Sequence, residues 1–154
     1  MANEVLLKDC VLIDMDVNPA KKDVALAQIA KQLGSVLNVD AGQIESGLLA
    51  REEEGTTGFT DGIAIPHTQV PDLDDARIGV VTFANPVAWE SLDGKDIEIA
   101  TVLLTPNGNG NQDHLKLLSM LSRKLMNEEF VSELHENKHD QNALFNMIAE
   151  IVNK

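Results

Sequence analysis

The chain has 154 residues, 44% of them hydrophobic, with 12 Lys and Arg against 25 Asp and Glu and a formal net charge of −13. That length suits one domain, residues 1–154, and the acidic balance opposes phosphate backbones, so no nucleic-acid partner is expected. No run approaches the ~18 uninterrupted apolar residues of a membrane span, and nothing at the start resembles a secretory signal. Cys10 has no internal disulfide partner; a cytoplasmic protein without direct membrane insertion is expected.

The apolar run Cys10-Val11-Leu12-Ile13 predicts a buried strand. Asn18-Pro19 has the form of an N-cap and first-turn proline, and Leu26, Ala30, Leu33 and Leu37 recur at helical spacing, predicting a first helix over about 19–34. Asp40 with Gln43 resembles a capping box before a second helix, whose apolar face is Ala41, Ile44 and Leu48 and whose end is Gly55. Residues 55–62 have loop composition, and Ile63-Ala64-Ile65 is a short strand closed by Pro66, which puts His67 at a strand-to-loop junction. Arg77–Phe83 and Ile97–Leu104 are the strongest strand candidates, with turns at Asn85-Pro86 and Asp93-Gly94 between them.

After a loop over 105–110, Asn111 can cap a helix carrying Asp113, His114, Leu118, Leu121 and Leu125. Asn127 and Asp140 are caps for a fourth helix with Phe130, Val131 and Leu134 and a fifth with Leu144, Ile148 and Ile151. Helices, strands and helices again predict an α/β fold: a single layered domain with a central mixed sheet flanked by helices.

Several chemistries lack their signatures. There is no G-x-x-x-x-G-K-[ST] loop, no G-x-G-x-x-G after a strand and no G-x-S-x-G elbow, and Cys10 lies in an apolar run suited to burial rather than nucleophilic work. The informative segment is Gly62-Ile63-Ala64-Ile65-Pro66-His67-Thr68, where a strand and a proline hold an imidazole with little freedom. A neutral imidazole attacks phosphorus near neutral pH and leaves again readily, which suits a carrier. Arg51 could fork onto phosphoryl oxygens, and His114 sits at a helix start, where the dipole favours an anion. Plainer readings stand beside each: His67 as a turn residue, Arg51 as a solvated helix-end charge, His114 as a packing histidine. His135 and His139 have no motif around them and are expected at the surface.

The run Arg51-Glu52-Glu53-Glu54-Gly55-Thr56-Thr57-Gly58-Phe59-Thr60-Asp61-Gly62-Ile63-Ala64-Ile65-Pro66-His67 resembles the enzyme IIA domains of the fructose/mannitol class (type 2) of the phosphoenolpyruvate:sugar phosphotransferase system. The segment from His114 to Leu125 is similar to the family's second motif segment, and order and spacing agree over nearly the whole chain. The resemblance implies that His67 is phosphorylated, on Nε2, with Arg51 and His114 neutralising the phosphoryl group and no cofactor or metal required. It implies phospho-HPr as donor and a cysteine of enzyme IIB, on a separate chain, as acceptor. It also admits a nitrogen-related regulatory IIA that acts by phosphorylation-dependent protein binding. Two departures from the usual pattern are Asp61, often Asn, and Thr68, often Gly. Asp61 is expected to point away from the site, as are Glu52 to Glu54, while the Thr68 hydroxyl could orient the ring. A rival from another class is a metal-dependent hydrolase built on His67, His114 and Asp61 or Asp113.

Overall fold

The computed structural model describes residues 5–107 and 111–153, with side chains from 114 onward in the second stretch. The elements are β1 (Leu6–Met15), α1 (Lys22–Leu37), α2 (Ala41–Glu53), β2 (Gly58–Thr60), β3 (Ile63–Ala64), β4 (His67–Gln69), β5 (Arg77–Val87), β6 (Ile97–Thr105), α3 (Asn111–Leu125), α4 (Glu128–Glu136) and α5 (Gln141–Val152). Six strands form one mixed sheet in the order β1-β5-β6-β3-β2, with β4 also on β6. β1 runs parallel to β5, β5 antiparallel to β6, and β3 and β4 both parallel to β6. Helices pack on this sheet, α1 and α5 against β1, α2 against β4 and α3 against β6. The α/β architecture with a mixed central sheet follows from the sequence pattern.

β6 is the spine. All its residues except Glu98 are buried, which fits a near-continuous apolar strand covered on both faces. Ile63 and Ala64 pair with Ile99 and Ala100, and His67, Thr68 and Gln69 pair with Leu103, Leu104 and Thr105. The register does not change between the two stretches, so β3 and β4 are one strand along β6 interrupted at Ile65-Pro66, with β2 on the other side of its first part. His67 therefore begins a strand rather than a loop, because β6 continues past the proline and captures the backbone beyond it.

Other local expectations shift for tertiary reasons. The first helix starts at Lys22, not at Pro19, since Ala20 accepts from the Ala88 N–H at 3.0 Å and Lys21 bridges Ala88, holding that backbone extended. Asp40 caps α2 by accepting from Gly42 N, but Gln43 does not complete a capping box; its amide reaches Asp72 at 3.3 Å. Asn85-Pro86 lies inside β5, where the pairing with β6 is irregular between Thr82 and Val87. Asp93-Gly94 does turn, with Gly94 at φ 79°. Within 55–62, Gly58–Thr60 forms β2 against β3. Asn127 and Asp140 cap α4 and α5 through Phe130 N and Ala143 N. α3 already includes Asn111, whose side chain lies outside the described residues.

The 54–58 turn is built on a buried acid. Glu52 is only 8% exposed, and its carboxylate accepts from the Thr57 N–H at 3.0 Å and from the Thr57 hydroxyl, with Lys22 Nζ at 3.6 Å. Thr57 in turn accepts from Ile65 N at 2.9 Å, so this acid ties the end of α2 to the strand that carries His67. Removing the carboxylate strands a buried N–H, which costs roughly 1–3 kcal/mol. Glu52→Ala is expected to lower the unfolding free energy by about 2 kcal/mol, measured as a reduced urea midpoint at unchanged slope; a wild-type midpoint would show that the carboxylate does not hold this turn.

Candidate functional site

Three side chains named from the sequence meet at one place. Arg51 comes from the last turn of α2, His67 from the start of β4 and His114 from the first turn of α3. All three are half-buried. Arg51 Nε lies 3.0 Å from His67 Nε2, and the His67 and His114 rings are 5.2 Å apart with planes tilted by 56°.

The His67 tautomer follows from its partners. Ile65 O lies 2.8 Å from Nδ1, and a carbonyl can only accept, so Nδ1 carries the proton. Nε2 is then a lone pair, and the Arg51 Nε–H donates to it. Pro66, between Ile65 and His67, keeps its own carbonyl on β6, where it accepts from Leu103 N at 2.9 Å. Arg51 is itself anchored, with Nη1 donating to Gly55 O at 2.8 Å. Thus the turn fixed by Glu52 and Thr57 also holds the guanidinium.

Burial lowers the His67 pKa below the ordinary 6.5, and the Arg51 charge pushes the same way, while the Ile65 hydrogen bond and the charges of Glu52 and Glu54 oppose it. His114 is also lowered, first by burial and then by the neighbouring His67. Both rings are held toward the neutral, nucleophilic form in a chain whose overall charge would favour protonation.

The acids stay outside this triad. Asp61 adopts φ 52°, the left-handed region that Asn and Asp tolerate best, and its carboxylate pairs with Lys95 at 2.9 Å, away from the rings. Asn and Asp are interchangeable there for backbone reasons. Glu52 is committed to Thr57, and Glu53 and Glu54 are exposed. The hydrolase constellation loses its Asp61 ligand to Lys95; the Asp113 side chain lies outside the described residues. The three groups that do meet are two imidazoles and a guanidinium, a set suited to an anion.

Thr68 does not orient His67. Its side chain packs against α2 at Gly47, where a Cβ would come within 2.3 Å of Thr68 Oγ1. Gly47 thereby lets α2 approach β4 closely enough for Arg51, one turn later, to reach the ring. His135, expected at the surface, is half-buried, its Nε2 2.6 Å from Asp61 O, and it braces the β2–β3 turn; His139 is exposed beside Asp14 at 2.5 Å. Burial pushes the Cys10 thiol up to about 11, consistent with packing. A residue not singled out from the sequence is Thr105, fully buried at the end of β6, with Oγ1 2.9 Å from His114 Nδ1. Its position as the last residue of the apolar β6 run, before Pro106, was the available signal.

Comparison with known proteins bears on this geometry. The family described as Phosphoenolpyruvate-dependent sugar phosphotransferase system, EIIA 2, matches residues 4–151. A nitrogen regulatory protein of Bradyrhizobium diazoefficiens is 29% identical over 146 residues, covering 95% of this chain and 93% of its own. A PTS system fructose-specific EIIA component of Haloferax volcanii is 32% identical over 147 residues, covering 92% and 91%. Among solved structures, the nitrogen regulatory protein IIA-Ntr of Neisseria meningitidis shares the fold with a TM-score of 0.81 at 24% identity, over 94% of this chain and 97% of that one. With the family matched from end to end and its motif histidine lying between the predicted arginine and histidine, this chain belongs to the type 2 enzyme IIA family of the phosphoenolpyruvate-dependent sugar phosphotransferase system.

Proposed function

We propose that the protein is a phosphocarrier that takes a phosphoryl group onto His67 Nε2 and passes it to another protein. The observation that carries this reading is the lone pair on His67 Nε2, set by the Ile65 carbonyl, accepting from Arg51 and beside His114. In the first step this lone pair attacks phosphorus on phospho-HPr. The new N–P bond forms as the donor's N–P bond breaks, and the electron pair returns to the donor imidazole. Such transfers need mainly alignment and stabilisation of charge on the equatorial oxygens. The Arg51 Nε–H leaves the lone pair for a phosphoryl oxygen while Nη1 stays on Gly55 O, and His114 supports the opposite side. In the second step a cysteine thiolate of enzyme IIB attacks phosphorus, an S–P bond forms, and His67 recovers its lone pair. Family membership supports HPr as donor and an enzyme IIB as acceptor. Among the described residues no helix is long and apolar enough to cross a membrane.

The relatives support two uses of this chemistry. A fructose-specific EIIA component favours sugar uptake, and a nitrogen regulatory protein favours a regulatory use. Deletion of the gene separates them: loss of uptake of one sugar supports transport, whereas intact uptake of every sugar supports regulation.

Incubation with phosphoenolpyruvate, enzyme I and HPr is expected to give an acid-labile, base-stable adduct on wild type and none on His67→Ala. Undiminished label on His67→Ala would end the proposal. Arg51→Gln is expected to slow acceptance by roughly 10²-fold, the scale of losing one preorganised charge-stabilising donor. Because His67 titrates below 6.5, the acid limb of the rate against pH lies below that value, since acceptance needs the neutral ring. Arg51→Gln removes a charge that lowers the pKa, so its limb should move to higher pH; a limb that stays in place would show that Arg51 does not act on the ring electrostatically.

A further inference from the structure

His114 can steady a phosphoryl group on His67 only by donating a proton, and a neutral imidazole has one to give. Which nitrogen carries it is therefore decisive. If Nδ1 holds the proton, Nε2 presents a lone pair, which repels phosphoryl oxygens; if Nε2 holds it, the ring is a donor.

Thr105 decides between these tautomers. Its hydroxyl is fully buried, and His114 Nδ1, at 2.9 Å, is its hydrogen-bond partner among the described residues. A buried O–H that accepted from an Nδ1–H would leave its own proton without an acceptor, an outcome that buried polar groups avoid. Four residues earlier on β6, the fully buried Thr101 hydroxyl likewise donates, to Ala64 O at 3.1 Å. We propose that Thr105 is a positioning residue whose hydroxyl donates to His114 Nδ1 and holds the ring as its Nε2–H tautomer, ready to donate to phosphoryl oxygens on His67.

The placement ties the two rings to one strand. Thr105 O accepts from Val70 N at 2.7 Å, and Thr105 pairs with Gln69, two residues beyond His67 on β4. His67 is thus held as Nδ1–H by the Ile65 carbonyl and His114 as Nε2–H by the Thr105 hydroxyl, one a lone-pair nucleophile and the other a donor. Its part in transfer rests on the phosphocarrier reading above; the tautomer itself does not.

The test uses the full chain, labelled with ¹⁵N at histidine, in mildly alkaline solution. Long-range ¹H–¹⁵N correlations are expected to show His114 protonated on Nε2 and His67 on Nδ1. The isosteric Thr105→Val should shift His114 toward the Nδ1–H form, leave His67 unchanged and slow phosphoryl acceptance roughly tenfold or more, the scale of losing an outer hydrogen bond that orients a ring. Thr105→Ser, which keeps the donor, should restore both tautomer and rate. A wild-type His114 protonated on Nδ1, a Thr105→Val rate equal to wild type, or a Ser variant as slow as the Val variant overturns the proposal. Wild type that accepts no phosphoryl group would instead end the phosphocarrier reading, and the tautomer comparison would still decide what Thr105 does.

Discussion

The site depends on one interruption in the strand that runs beside β6. Between Ala64 and His67 the strand along β6 keeps its register, yet Pro66 has no N–H to offer, and Ile65 turns its own N–H to Thr57 O at 2.9 Å. The Ile65 carbonyl is the acceptor for His67 Nδ1. A main-chain carbonyl two residues before the ring thus fixes its tautomer. The ring is rigid because strand structure resumes at once on its far side.

From that break the remaining groups are placed by packing rather than by local preference. Gly47 lets α2 lie close on Thr68, and the Glu52–Thr57 hydrogen bonds shape the turn whose Gly55 carbonyl holds Arg51. Glu52 shows how a strongly acidic chain supports an anion-handling centre. Its carboxylate is engaged by two hydrogen bonds and by Lys22, and it raises the His67 pKa less than burial lowers it. Asp61 is similarly satisfied by Lys95. The net charge of −13 is thus a property of the surface, and the local field at the triad is set by a half-buried guanidinium and by desolvation.

Much of this was legible from sequence because the carrying signals are local. Asp40, Asn127 and Asp140 cap helices where short polar side chains precede apolar periodicity, and β5 and β6 announce themselves by β-branched, nearly unbroken apolar runs. Arg51, His67 and His114 were recognisable through family resemblance, since nothing in their spacing alone brings three elements together. What escaped was decided by long-range contacts. The pairing of Lys21 with Ala88 delayed α1, β6 converted the loop after Pro66 into a strand, and Thr68 found Gly47 rather than the ring. Glu52 was expected to point away from the site like Glu53 and Glu54, and only the folded turn distinguishes it from them. Thr105 looked like the start of a loop, because a hydroxyl's partner nine residues away cannot be read from either residue type.

A carrier must take a phosphoryl group and give it up with comparable ease, so tight stabilisation of the loaded form would defeat it. The arrangement around Arg51 meets that requirement. In the empty site its Nε–H is already satisfied by His67 Nε2, and Nη1 by Gly55 O. In the proposed reaction the Nε–H exchanges a ring lone pair for a phosphoryl oxygen, so the gain on loading is the difference between two hydrogen bonds rather than the whole of one. An arginine left unpaired in the empty state would bind the phosphoryl group harder and release it more slowly. The same donor that protects the lone pair between cycles thereby keeps the two states of the carrier close in free energy.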